Sequence, residues 1–298
     1  MSERDEFERE YEQTVIGLGI PPCPKILINL SAQVRKTEPD LQVIERLITE
    51  DVGLSAALIK TVNSPFYGLR NKISSILQAI HMLGLSQLSL MVTAMVLRDV
   101  LKGLGKIDMG RFWDASTKVA IISSYIAGRL PYLVYEKSKP PIDKDEAYTY
   151  GLFQDCGIPI MLNEYETYKE ILGIANLSQD RKFTDIEDDA FGKNHAMIGS
   201  VLAKSWGLPA MFHQAIRAHH EHAMLEQDSD YGSAESRDLI AVSLLAERAI
   251  QIITGLNQTC EWQKGERWVM QHLGINDDDF ASIVKGIRIL HEEGNLND

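Results

Sequence analysis

Cysteine, aromatic residues and positive charge are all in short supply in this chain. Cys23, Cys156 and Cys260 are the 3 cysteines of 298 residues, odd in number, far apart and never in a C-x-x-C pair. That excludes a disulfide framework and a thiolate zinc site, and leaves reduced, mostly buried thiols. Lys and Arg number 30 against 42 Asp and Glu, a formal charge of −12. Such a surface repels phosphate backbones and anionic lipid, so neither a nucleic-acid nor a membrane partner is expected. The most apolar segment, Leu88 to Leu97, is too short to span a bilayer, and the start Met1-Ser-Glu-Arg-Asp-Glu-Phe7 lacks the basic, then apolar, character of a secretory signal. The expected location is cytoplasmic. There is no alternating strand pattern, no internal repeat and no low-complexity segment.

What is present is helical signal, nearly end to end, so the predicted class is all-α. The 45% hydrophobic content suffices for one large core or two modest ones. An acidic amphipathic lead is followed by Pro21, Pro22 and Pro24, a rigid entry to an apolar helix over Ile26 to Val34. Asp40 can cap the next helix, and another runs from about Gly53 to Val62. Asn63 and Ser64 then satisfy free backbone groups at its end. Ser75 to Gln78 fits a capping box, and a long helix follows over Ser86 to Lys102. Phe112 to Arg129 forms a helix that Pro131 closes, and the proline-rich, charged stretch Glu136 to Lys144 reads as a loop between two helical lobes. Thr184-Asp-Ile-Glu187 fits a second capping box. Glu226 to Ser236 reads as an exposed loop, and helices over Arg237 to Thr254, Glu261 to His272 and Asp277 to His291 complete the chain. Trp113 and Trp206 sit in apolar patterns as core anchors, as do Met82, Met91 and Met95.

Several segments together resemble the HDOD family, the HD-related output domains of bacterial signalling proteins. They are Asp51-x-Gly-Leu-x-x-x-Leu-Ile-Lys-x-Val-Asn63-Ser64-x-x-Tyr-Gly68, then Ile73-x-Ser75-Ile-x-x-Ala-Ile80-x-x-Leu-Gly84. Phe112-Trp113, Gly151-Leu-Phe-Gln-Asp-Cys-Gly157, His195-x-x-x-Gly199, Trp206-x-x-Pro209 and Ala215-Ile-x-x-His219-His220 follow in order. The resemblance implies a multi-helical HD-domain-like fold with an N-terminal helical subdomain over 20–105 packed on a diverged HD lobe over 106–222. Residues 1–19 are then an acidic lead, and 223–298 are helices completing the lobe.

The parent chemistry is two-metal phosphate hydrolysis, in which imidazoles and carboxylates hold two ions a few ångströms apart. At positions where the resemblance implies ligands, this chain has Ala115, Gln154 and, in Leu244-Leu-Ala-Glu-Arg248, Glu247. A methyl group cannot ligate, and a neutral amide is a weak substitute for imidazole. Asp155, His195, His219 and His220 match positions serving mainly the second metal, so one ion can remain, and three imidazoles with a carboxylate suit Fe, Mn, Ni or Zn. The plain alternative is that His219 or His220 merely bonds a backbone carbonyl or caps a helix end. His213 and His222 read as surface or capping residues, and His81, His272 and His291 have no evident partner. The functional expectation is a signalling output or scaffold domain acting on an unidentified signalling protein, with a degenerate site and no catalysis. A weak metal-dependent phosphohydrolase and a non-hydrolysing nucleotide sensor are the alternatives.

Overall fold

The computed structural model describes residues 19–64, 69, 72–103, 109–133, 141–226 and 232–292. The acidic lead, Pro65, Tyr67, Gly68, Gly105, most of the proline-rich loop and residues 227–231 of the polar run lie outside the described residues. Among those described there is no strand, and the all-α class holds.

Five helices open the chain: α1 Lys25–Val34, α2 Leu41–Thr49, α3 Val52–Val62, α4 Ile76–Leu83 and α5 Leu85–Gly103. Their starts are written in short polar side chains. Asp40 accepts from the backbone N–H groups of Gln42 and Val43, and Asp51 accepts from that of Leu54. Ser75 caps α4 through the Gln78 N–H, while the Gln78 amide reaches back to Ser74 N, one residue earlier than a capping box requires. Asn63 ends α3, and both ends of its amide pair with the backbone of Ile73 at 2.8 Å, which fixes the return of the chain toward α4. Leu30, Ile44, Ile48, Leu58 and Leu88 are all but fully buried, each such side chain contributing about 1.5–3 kcal/mol.

The second half comprises α6 Gly110–Leu133, α7 Lys144–Phe153, α8 Ile158–Glu164, α9 Tyr168–Leu177, α10 Phe183–Phe191, α11 His195–Ser205 and α12 Ala210–Ala218. A 3-10 turn His222–Leu225 precedes α13 Ala234–Thr254, α14 Glu261–Leu273 and α15 Asp277–Glu292. α6 and α7 form the closest pair, and α13 lies against both. Gly151 makes that pairing possible, since a Cβ there would stand 2.9 Å from Ala120 Cα. α5 packs on α7 and α8, and one contiguous buried core runs from Leu27 to Ile287.

Three local expectations are corrected. Pro131 does not close α6, which continues to Leu133, because α6 is packed along its length and Leu130 beside the proline is buried. Met82 is exposed, unlike Met91 and Met95, and only Cys156 of the three thiols is buried. No single described helix is long and apolar enough to cross a membrane; α4 and α5 pass that test jointly but meet at a bend of 120°.

Candidate metal centre

Asp155, His195, His219 and His220, far apart in sequence, are brought to one point. Asp155 follows the end of α7, in the tight turn Gln154 to Gly157. Gly157 allows α8 to start against the first turn of α11, since a Cβ on it would meet the His195 carbonyl oxygen at 2.0 Å. Asn194 caps α11 through the Met197 N–H, which sets His195 as the first helical residue. His219 is the C-cap of α12, and His220 follows it.

Each imidazole has one nitrogen occupied and the other aimed inward. His219 Nδ1 lies 2.7 Å from the Ile216 carbonyl oxygen, and a carbonyl only accepts, so Nδ1 carries the proton and Nε2 presents a lone pair. His195 Nδ1 lies 2.7 Å from Glu187 Oε2, and His220 Nδ1 lies 2.7 Å from Glu261 Oε2, so these carboxylates likewise hold protons on Nδ1. The three Nε2 atoms face one another, His195 at 3.1 Å from His219 and 3.2 Å from His220. Asp155 Oδ1 joins them at 3.5 Å from His195 Nε2 and 3.4 Å from His219 Nε2. Three Nε2 atoms and a carboxylate converging in one place need a positive charge among them, supplied by a proton on His195 or by a bound cation. Such a donor set, with its outer carboxylates, fits a divalent ion.

The electrostatics lead the same way. Burial pulls the His195 imidazole down, but Glu187 and Asp155 outweigh it and push it up to about 10. Burial alone would raise the Asp155 carboxyl, and the hydrogen bonds and charge of His195 and His219 instead hold it well below the usual carboxylate range. His220 is held well below the ordinary imidazole value by burial, then by His219 and His195. Glu187 is wholly buried, and its partners among the described residues are the Tyr168 hydroxyl and His195. No lysine or arginine is among them, so the positive charge beside it comes from the histidine cluster, as the His195 imidazolium or as a bound cation.

The substituted positions come together beside this cluster. Ala115 and Gln154 line the same cavity as Asp155 and Glu247. The Gln154 amide donates to Glu247 Oε1 and stands 3.5 Å from Asp155 Oδ2. Burial, then the charge of Asp155, pushes Glu247 up to about 8, so a neutral carboxyl and an amide stand beside the outer oxygen of Asp155. A second set, His220, His222 and Glu261, also lies close enough to hold an ion. There the Lys264 ammonium is 2.7 Å from Glu261 Oε1, so a positive charge is already in place.

Glu187, Glu261 and Tyr168 were not legible as site residues. Thr184 lies inside α10, whose N-cap is Lys182, so the expected capping box does not form and Glu187 turns inward to His195. The spacing of Glu187 eight residues before His195 was the available signal. His222 is not a surface residue: it is 6% exposed, lines the cavity, and burial lowers it to about 4. His81 and His272 do have partners, the Leu77 carbonyl and Asp238, each at 2.7 Å.

The architecture is that of an all-helical HD-type domain with a histidine and carboxylate cluster between its helices. The HDOD domain model matches residues 20–222, and the chain belongs to the HDOD family. An HDOD domain protein of Geobacter sulfurreducens superposes with a TM-score of 0.65 at 20% identity, covering 98% of this chain and 97% of that one. A protein of Shewanella amazonensis provisionally named a phosphohydrolase gives 0.64 at 21%, with 96% of each chain covered. One of Marinobacter aquaeolei provisionally named a signal transduction protein gives 0.62 at 19%, covering 99% of this chain and 66% of that one. An uncharacterized Treponema pallidum protein is 24% identical over 241 residues, 79% of this chain, which spans only 43% of that protein's length.

Proposed function

We propose that this chain is a bacterial signal-transduction output domain that acts on a partner protein through its helical surface. Its diverged HD lobe keeps one metal position and has lost the other. Membership of the HDOD family supports the signalling role, as does the fold shared with the Marinobacter protein. The observation that carries the one-metal reading is the convergence of three Nε2 atoms and Asp155 Oδ1 within a frame of buried carboxylates. Ala115 and Gln154, where further ligands would be needed, offer a methyl group and an amide already committed to Glu247.

His195, His219, His220 and Asp155 would hold the ion, and Fe, Mn, Ni and Zn all suit three imidazoles with a carboxylate. Bound there, it supplies a Lewis acid for an anionic oxygen. The chain's own residues do the rest. Glu187, Glu261 and the Ile216 carbonyl keep the Nδ1 protons in place, so that the Nε2 lone pairs stay inward. Gln154 holds Glu247 on the far side of Asp155 and leaves Oδ1 to the histidines.

A weak phosphohydrolase is the second reading, favoured by a cavity of about 330 Å³ that opens onto Asp155, His219 and His220. Assaying the metal-loaded chain against p-nitrophenyl phosphate and a nucleotide panel separates the two. The output-domain reading predicts turnover at background. Turnover that is lost in His195→Ala, whose metal content is measured in parallel, would replace it with the hydrolase reading.

A further inference from the structure

The lining of the cavity has chemistry that the metal cluster does not use. Arg111 and Phe112, at the start of α6, belong to its lining. Arg111 is one helical turn, about 6 Å, before Ala115 and makes no ion pair among the described residues. Phe112 is half-buried, lines the cavity and packs edge-on against Trp113 at 4.9 Å. The lining also includes Asn176 and the loop after α13, which contributes Asn257, Gln258 and Thr259.

That loop is held from beneath. Gln251, 5% exposed, donates through Nε2 to the Asn257 carbonyl at 3.1 Å and to Thr259 Oγ1 at 3.2 Å. Arg248 Nη1 donates to Gln251 Oε1 at 3.3 Å, and because a guanidinium only donates, it fixes which way the Gln251 amide faces. The Cys260 N–H donates to the Asn176 carbonyl at 2.8 Å, tying the loop to the end of α9. Asn257 itself sits in the left-handed region with φ of 54°, a conformation that costs energy in any residue but glycine and that asparagine tolerates best. The side-chain amides of Asn176, Asn257 and Gln258 make no hydrogen bond among the described residues, so each has a donor and an acceptor to offer.

We infer that this cavity binds one nucleoside monophosphate, its phosphoryl group toward the metal centre and Arg111, its base on Phe112, and its base edge read by the rim amides. The inference rests on the one-metal reading above. Amide side chains pair with the mixed donors and acceptors of a base edge, and an aromatic ring gives the base a stacking face that a sugar or polyol does not need. Much of the remaining lining is apolar, with residues such as Leu172, Leu244 and Ile250. A volume of about 330 Å³ is near the lower end of small-molecule pockets, and suits one nucleotide rather than two joined ones.

The experiment is calorimetry on the full metal-loaded chain with AMP, GMP, CMP and UMP, ribose 5-phosphate and inorganic phosphate, metal content being measured on the same samples. At least one nucleotide is expected to bind about tenfold or more tighter than ribose 5-phosphate. In Phe112→Leu and in the exposed-rim double variant Asn257→Gly, Gln258→Ala, in which glycine keeps the left-handed backbone, that gap is expected to close, with metal content and phosphate affinity unchanged. Equal binding of nucleotide and ribose 5-phosphate would overturn the inference, as would a gap that survives both variants. Loss of all phosphate binding with metal still present would overturn it too, while leaving the metal reading intact. Absence of metal would instead remove the reading beneath it.

Discussion

The protons on the three imidazoles are placed by their neighbours, and Glu187 is the neighbour with the most at stake. It is fully buried, takes both the backbone N–H and Nδ1 of His195, and accepts the Tyr168 hydroxyl. Outer-shell carboxylates of this kind typically change metal affinity by about 10–100-fold. Glu187→Gln keeps the shape and removes the charge, and is expected to weaken metal binding about tenfold. Glu187→Ala also releases the ring, and is expected to weaken it nearer a hundredfold. Competition against a metal-chelating dye reads both. Equal affinity in wild type and Glu187→Ala would mean that the histidines need no such support. His219 shows that the plain and the functional roles need not compete. Its Nδ1 bonds a helix-end carbonyl, as expected of a capping histidine, and that bond is what aims Nε2 at His195.

Among the helices, the contact between α8 and α11 sets the site. A methyl group on Gly157 would overlap the His195 carbonyl oxygen and press on Gly199 N, with backbone on both sides and nothing flexible to yield. Gly157→Ala is expected to cost at least about 1–3 kcal/mol, read as a lowered denaturation midpoint together with reduced metal content. The start of α7 carries a second, independent prediction. Burial first, then the charges of Asp143, Glu235 and Asp145, push Glu146 up to about 7, well above its ordinary 4.5. The folded state therefore binds that proton more tightly than the unfolded chain. The associated stability is fully present below pH 4.5 and is lost as pH rises through about 7. Glu146→Gln should accordingly raise the denaturation midpoint at pH 8 and leave it unchanged at pH 4. A gain of the same size at both pH values would contradict this origin.

The helices were legible because their signals are local. Asp40 and Ser75 cap where their side chains can reach the next free N–H groups, and apolar spacing marks the buried faces. Two failures have tertiary causes. Pro131 is carried within α6 by the packing of α7, α13 and α15 against that helix, and Glu187 fits the pattern of a helix start while its actual partner, His195, lies on the next helix. The inner ring of Asp155, His195, His219 and His220 could be found from the order of matched segments. The outer ring could not, since Glu261 belongs to helices outside the matched region and nothing near it in sequence points to His220.

For the molecule as a whole, the proposed centre joins α7, α11 and α12, so an ion held there would couple metal binding to stability. With free metal at about a hundred times its dissociation constant, the native state gains about 2.7 kcal/mol, so chelation is expected to lower the melting temperature and re-addition to restore it. The proposed loss of a second ion is also testable by reversal. Ala115→His with Gln154→His and Glu247→Asp supplies three ligands on the outer side of Asp155, and is expected to raise bound metal from one ion per chain to two. Elemental analysis of the chain purified without chelator and protected from air tests the central claim most directly. One transition-metal ion per chain, lost in His195→Ala and in His219→Ala, is the predicted result. Two ions in the unmodified chain, or none, would contradict it.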